Sequence, residues 1–111
     1  GYQGEKLLSV VKEGQEGQAL IQGIMVDLRE NPITSVESLK VEKVVDYAEG
    51  VEGIGTSNVL EYHLDDGSRF FVRPSGTEPK IRVMVEGRDL EAIDLCAKRI
   101  VDKINERIIE G

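Results

Sequence analysis

The residues best suited to chemistry lie in the eight-residue stretch 73–80, which reads R-P-S-G-T-E-P-K. It combines a guanidinium and an ammonium group with two hydroxyls and a glycine whose backbone N–H can approach a ligand closely. A second guanidinium, that of Arg82, follows two residues later. Cationic side chains, hydroxyl donors and outward backbone N–H groups bind anions, and the arginine fork matches the oxygens of a phosphate. The stretch therefore predicts a phosphate site.

Apolar, β-favouring runs flank this stretch, so it is predicted to connect two strands of a hairpin. Alternation along the strands places Arg73 and Arg82 on the same side of the sheet, where both could contact one anion. The predicted phosphate-binding residues are Arg73, Ser75, Gly76, Thr77, Lys80 and Arg82. The alternative is a plain turn, in which proline presets φ and glycine takes a positive φ. The flanking Arg, Thr and Lys residues favour the anion site.

The charge pattern limits what this site could bind. Between residues 69 and 82, four basic residues stand against one acidic residue, a net charge of +3, while the whole chain carries −7 and the remainder therefore −10. A positive island in an acidic chain is suited to attracting one small anion. Binding to nucleic acid needs a broad basic surface, so we expect no nucleic-acid partner.

Composition predicts one soluble domain over residues 1–111, with 40% hydrophobic and 32% charged residues. No apolar run approaches the ~20 residues that span a bilayer, so no membrane partner is expected. The single cysteine, Cys96, excludes an internal disulfide framework and favours a cytoplasmic location. The chain starts with Gly-Tyr-Gln-Gly, which has neither a Met nor the features of a signal peptide, so we expect a piece of a longer protein.

Hydrophobic periodicity predicts strands and helices in the order β-α-β-β-β-β-α. We expect strands at about 7–11, 39–47, 59–64, 69–72 and 81–85, and helices at about 18–30 and 89–109. Asp89 is expected to cap the second helix. Each helix has an apolar stripe at helical spacing, formed by Leu20, Ile21, Ile24, Met25 and Leu28 in the first and by Ile93, Ala97, Ile100, Ile104 and Ile108 in the second. Consecutive hairpins and two one-sided helices predict an α+β fold: a two-layer sandwich of a mostly antiparallel sheet with both helices on one face.

Several local features have a structural interpretation. Gly14 and Gly17 are expected to flank a turn before the first helix. Within the strand 39–47, Val41, Val45 and Tyr47 are expected on one side of the sheet. The run 65–68, D-D-G-S, predicts a tight turn rather than a metal loop. His63 has no second His or Cys nearby in sequence, which favours a structural role.

The segment R-P-S-G-T-E-P-K-I-R, from Arg73 to Arg82, resembles the phosphate-binding loop of the α-D-phosphohexomutases. This family includes phosphoglucomutase, phosphomannomutase and phosphoglucosamine mutase. The resemblance extends to residues 39–47, 57–60 and 66–68, which are similar to segments of the family's fourth, C-terminal domain. It implies a TATA-binding-protein-like fold and a parent enzyme of four domains.

The resemblance also implies a function. The parent would be an intramolecular phosphotransferase that interconverts hexose 1-phosphate and hexose 6-phosphate through a phosphoserine and a bisphosphate intermediate, with Mg²⁺ bound by other domains. This domain would bind the phosphate that is not reacting, using Arg73, Ser75, Gly76, Thr77, Arg82 and Lys80. It would contribute no catalytic or metal-binding residue and would be inactive alone. Its partners would be the phosphosugar and the other three domains.

Two alternatives stay open at this point. The sugar could be glucose, mannose or glucosamine phosphate, because residues 39–47 and 57–60 are similar to phosphoglucomutase and phosphomannomutase, whereas residues 82–87 are similar to phosphoglucosamine mutase. A chain of a different class, a stand-alone module that binds a phosphate or a phosphopeptide, would also use a cationic hairpin.

Overall fold

The structure is a computed structural model that describes residues 2–9, 14–50, 56–75 and 79–110. It contains six strands and two α-helices, with a short 3-10 helix, Tyr47–Glu49, between the third and fourth strands. In chain order the elements are β1 (Tyr2–Ser9), α1 (Gly14–Glu30), β2 (Ser35–Val36), β3 (Leu39–Asp46), β4 (Leu60–Leu64), β5 (Arg69–Pro74), β6 (Lys80–Gly87) and α2 (Leu90–Glu110). None of the helices in these ranges is long and apolar enough to cross a membrane.

The strands form one sheet in the order β1-β6-β5-β4-β3-β2, and every neighbouring pair is antiparallel. Both helices pack on one face of this sheet, so the predicted two-layer α+β sandwich is confirmed. The sequence prediction missed β2, which has only two residues and is held at the sheet edge by its pairing with β3. Such a short strand has too few residues to show an alternating pattern.

The two helices pack on the sheet through the predicted apolar stripes. Asp89 caps α2, because its Oδ1 accepts hydrogen bonds from the backbone N–H groups of Glu91 and Ala92 at 3.0 and 3.3 Å. The buried helix residues are Ile21, Ile24, Met25 and Leu28 of α1, and Ile93, Cys96, Ala97, Ile100 and Ile104 of α2. Burial raises the pKa of the Cys96 thiol to about 11, so this cysteine stays protonated and unreactive at neutral pH.

The expected turn at Gly14 and Gly17 is wrong. Helix α1 already begins at Gly14, and Gly17 is buried within its first turns. The low helix propensity of glycine is a weak local preference, and packing against the rest of the fold overrides it here.

Strands β4, β5 and β6 alternate between the helix-covered face and the opposite face, called the open face below. Their buried residues towards the helices are Leu60, Tyr62, Leu64, Phe70, Val72, Ile81, Val83 and Val85. At the centre, the rings of Tyr62 and Phe70 stack with centroids 4.5 Å apart. The open face carries the intervening residues, and these include the predicted ligands Arg73 and Arg82.

The expected alternation along β3 is wrong. The pairing register shifts between Val41 and Lys43, so Val41 lies opposite Leu64 while Val45 lies opposite Glu61. Val41 therefore faces the helices and Val45 lies on the open face. A bulge adds one residue to a strand and reverses the side on which every later residue lies.

The D-D-G-S turn between β4 and β5 is confirmed. Gly67 has a φ of 89°, and Asp66 Oδ1 accepts a hydrogen bond from the backbone N–H of Ser68 at 2.9 Å. The Asp66 carboxylate is thus used to fix the turn. This tight connection sets the register in which β5 pairs with β4, and so determines which β5 side chains reach the open face.

Candidate functional site

The hairpin of β5 and β6 positions the predicted ligands. Arg73 lies directly opposite Arg82, and the backbone N–H of Ser75 donates to the carbonyl oxygen of Lys80 at 2.8 Å, which closes the ladder at the loop. The remaining predicted ligands, Gly76 and Thr77, lie outside the described residues, as does Glu78. The base of the loop is therefore defined, and it places two arginines directly opposite each other.

The placement of Arg73 opposite Arg82 puts two positively charged residues next to each other on the sheet. Both side chains lie on the open face, where Arg73 is exposed and Arg82 is partly buried. Like charges directly opposite each other on an antiparallel pair destabilise a sheet. An anion placed between the two guanidinium groups would remove this repulsion, and it could accept hydrogen bonds from both.

Ser75 and Lys80 lie where they could complete such a site. The Ser75 backbone N–H is already used by Lys80, so its hydroxyl is the donor left for a ligand. Ser75 itself is buried, with 8% of its surface exposed. Alternation places the Lys80 side chain on the same face as Arg82, two residues closer to the loop.

A cavity of about 110 Å³ lies on the open face beside the two arginines. It is lined by Val59, Phe71, Arg73, Arg82 and Met84. Phe71 lies opposite Met84 in the row of the sheet next to Arg73 and Arg82. The site thus has a cationic part and an apolar part in contact with each other.

A network around Glu61 stabilises the same face. Only 5% of Glu61 is exposed, and its carboxylate accepts a hydrogen bond from the Tyr47 hydroxyl at 2.7 Å. The other carboxylate oxygen contacts His63 Nε2 and lies 3.9 Å from a guanidinium nitrogen of Arg69. His63 therefore contacts a carboxylate within the sheet, which agrees with the structural role predicted from the sequence. The pKa of Tyr47 is raised, mainly by the hydrogen bond to Glu61 and to a lesser extent by burial, so its hydroxyl stays a donor at neutral pH.

Arg69 belongs to this network rather than to the phosphate site. Its Nε lies 2.6 Å from Glu86 Oε2, directly across the sheet, and this hydrogen bond raises the pKa of Arg69. The count of +3 around the loop therefore overstates the charge available to a ligand. The sequence did contain a signal for this pairing, because the β5–β6 register that places Arg73 opposite Arg82 also places Arg69 opposite Glu86.

The match to known families decides what this hairpin belongs to. Residues 11–103 match the family described as "Phosphoglucomutase/phosphomannomutase, C-terminal domain". The chain belongs to this family. The matched range includes the whole stretch from Arg73 to Arg82, so the resemblance noted from sequence is confirmed at the level of the family.

Curated relatives of this phosphoglucomutase/phosphomannomutase C-terminal domain have three different names. A phosphoglucosamine mutase of Chromohalobacter salexigens is 37% identical over 109 residues, covering 93% of this chain and 22% of the relative. A phosphoglucomutase of Staphylococcus aureus is 35% identical, with 88% and 20% covered. A probable phosphomannomutase of Haemophilus influenzae is 32% identical, with 77% and 16% covered. The chain spans about a fifth of the length of these relatives.

Proposed function

We propose that this chain is the domain of a phosphohexomutase that binds the non-reacting phosphate of the sugar substrate. The observation that carries the proposal is the position of Arg73 directly opposite Arg82 at the base of the hairpin loop. Ser75 and Lys80 would add donors from the strand ends, and Gly76 and Thr77 would add donors from the loop. The family membership supports the same assignment.

The parent enzyme, on this proposal, interconverts hexose 1-phosphate and hexose 6-phosphate through a phosphoserine and a bisphosphate intermediate. The other three domains would supply the phosphoserine and the Mg²⁺ ligands. The described residues contain no group of three His, Cys, Asp or Glu side chains able to hold a metal ion. The relatives carry three sugar names, so the proposed substrate is a hexose phosphate without a choice of sugar.

A phosphate clamp distant from the reacting bond would still contribute to catalysis. Binding energy from the non-reacting end of a substrate can hold the other end in the orientation that the reaction requires. Hydrogen bonds to charged groups contribute roughly 1.5–3 kcal/mol each, and part of this offsets the loss of ligand and side-chain freedom on binding. One hairpin acting alone should therefore bind phosphate weakly, with a Kd on the order of mM.

NMR titration of the ¹⁵N-labelled chain tests this function. Adding inorganic phosphate or glucose 6-phosphate is expected to shift the amide signals of Ser75, Gly76, Thr77 and Arg82, with a Kd on the order of mM. Signals of α2, on the far side of the sheet, should stay in place and serve as the internal control. Shifts confined to α2, or no shifts up to tens of mM, would contradict the proposed function.

A further inference from the structure

The cavity beside the two arginines has a lining that inorganic phosphate does not require. Three of its five residues, Val59, Phe71 and Met84, are apolar, whereas Arg73 and Arg82 are cationic. A fully hydrated ion gains nothing from apolar walls, and burying its polar surface against them is unfavourable. Carbon-bound hydrogens gain from the same contact, because they leave water.

The cationic and apolar parts of this lining lie at different positions along strands β5 and β6. The cross-strand pair of Phe71 and Met84 lies two residues further from the hairpin loop, along each strand, than the pair of Arg73 and Arg82. Two residues of a strand span about 7 Å. This spacing leaves room for a carbon group beside a phosphate that is bound by the two arginines.

Phe71 is held in place by the Glu61 network. The Arg69 guanidinium lies 5.3 Å from the centre of the Phe71 ring, and Arg69 is itself fixed by Glu86 at 2.6 Å. A cation stacked on an aromatic ring is an attractive contact, and the ion pair keeps that cation where it is. The apolar wall is therefore formed before a ligand arrives, which lowers the ordering cost of binding.

We propose that this cavity receives the carbon-bearing end of a phosphate monoester whose phosphate is bound by Arg73 and Arg82. Phe71 and Met84 would make the site selective for a monoester over inorganic phosphate. This inference rests on the proposed function. At about 110 Å³ the cavity is somewhat smaller than the ~150 Å³ apolar cavity that accepts benzene, so it would hold one edge of a sugar ring rather than a whole sugar or a peptide.

The test compares three ligands on the same chain: inorganic phosphate, methyl phosphate and glucose 6-phosphate. Titrations at about pH 8.5 keep all three largely as dianions, because this pH lies above the second pKa of a phosphate monoester, near 6, and above the somewhat higher second pKa of inorganic phosphate. Glucose 6-phosphate is expected to bind roughly five- to tenfold more tightly than inorganic phosphate, with methyl phosphate between them.

Two variants assign this preference to the cavity. Phe71→Ala and, as a second variant, Met84→Ser should each bring glucose 6-phosphate to within about twofold of inorganic phosphate, while the affinity for inorganic phosphate stays unchanged. Leu95→Ala, which truncates an exposed apolar residue of α2, is the matched control and should retain the full preference. The ¹⁵N spectrum of each variant shows whether it is folded.

The outcomes separate this inference from the proposed function. Equal affinity of the wild-type chain for all three ligands would overturn the inference and leave the proposed function standing. A preference for glucose 6-phosphate that survives in both folded variants would also overturn it. Absence of binding by any of the three ligands would overturn the proposed function itself.

Discussion

Arg73→Met is expected to remove most of the phosphate affinity of the chain and to leave its stability unchanged or up to about 1 kcal/mol higher. The gain in stability would come from removing the charge directly opposite Arg82, while the methionine stem keeps the packing of the arginine stem. The loss of affinity would come from the missing charge-assisted hydrogen bonds, worth roughly 1.5–3 kcal/mol, or about ten- to a hundredfold. Phosphate titration and urea denaturation measure the two effects.

Arg99→Met is the matched control for this substitution. Arg99 lies on α2, is about half exposed and pairs with Glu37 at 2.6 Å, so its replacement removes the same charge far from the hairpin. Its phosphate affinity should stay within about twofold of the wild-type value, and its stability within about 1 kcal/mol, since exposed ion pairs contribute little. If Arg73→Met unfolded the chain, or kept full affinity, Arg73 would be a structural residue and not a ligand.

Glu61→Ala is expected to lower the free energy of unfolding by roughly 2–3 kcal/mol. The Tyr47 hydroxyl and His63 would lose their partner, and Arg69 would keep only Glu86. The expected loss is below that for a fully buried ion pair, because His63 and Arg69 are both more than a third exposed and water can replace part of the interaction. Urea denaturation of the variant measures it.

Glu61→Gln separates the hydrogen bond from the charge. The glutamine oxygen can still accept from the Tyr47 hydroxyl, so this variant should lose about half as much stability as Glu61→Ala or less. Equal losses for the two variants would assign the effect to the negative charge of Glu61, which lies near His63 and 3.9 Å from Arg69. A change below about 0.5 kcal/mol for Glu61→Ala would show that the network does not stabilise the open face.

The features that could be predicted from sequence are those set by nearby residues. The Asp89 cap, the stripe of isoleucines on α2 and the Gly67 turn depend on contacts within one element or one hairpin. The pairing of Arg73 with Arg82 belongs to this class, because a short loop between two alternating strands determines which residues lie opposite each other.

The features that were missed depend on partners distant in the chain. The Tyr47 hydroxyl meets Glu61 only when β3 and β4 are assembled, so no local pattern reveals this part of the network. The bulge in β3 likewise follows from pairing with β4, and it reversed the expected side of Val45. The buried Gly17 shows the same effect on a helix end.

The central claim, that the β5–β6 hairpin binds the phosphate of a sugar, is tested most directly by a crystal structure of this chain with glucose 6-phosphate. The phosphate is expected between the guanidinium groups of Arg73 and Arg82, with N–O distances of about 2.7–2.9 Å. The sugar should then extend towards Phe71. A phosphate found elsewhere, with both guanidinium groups turned into pairs with carboxylates, would contradict the claim.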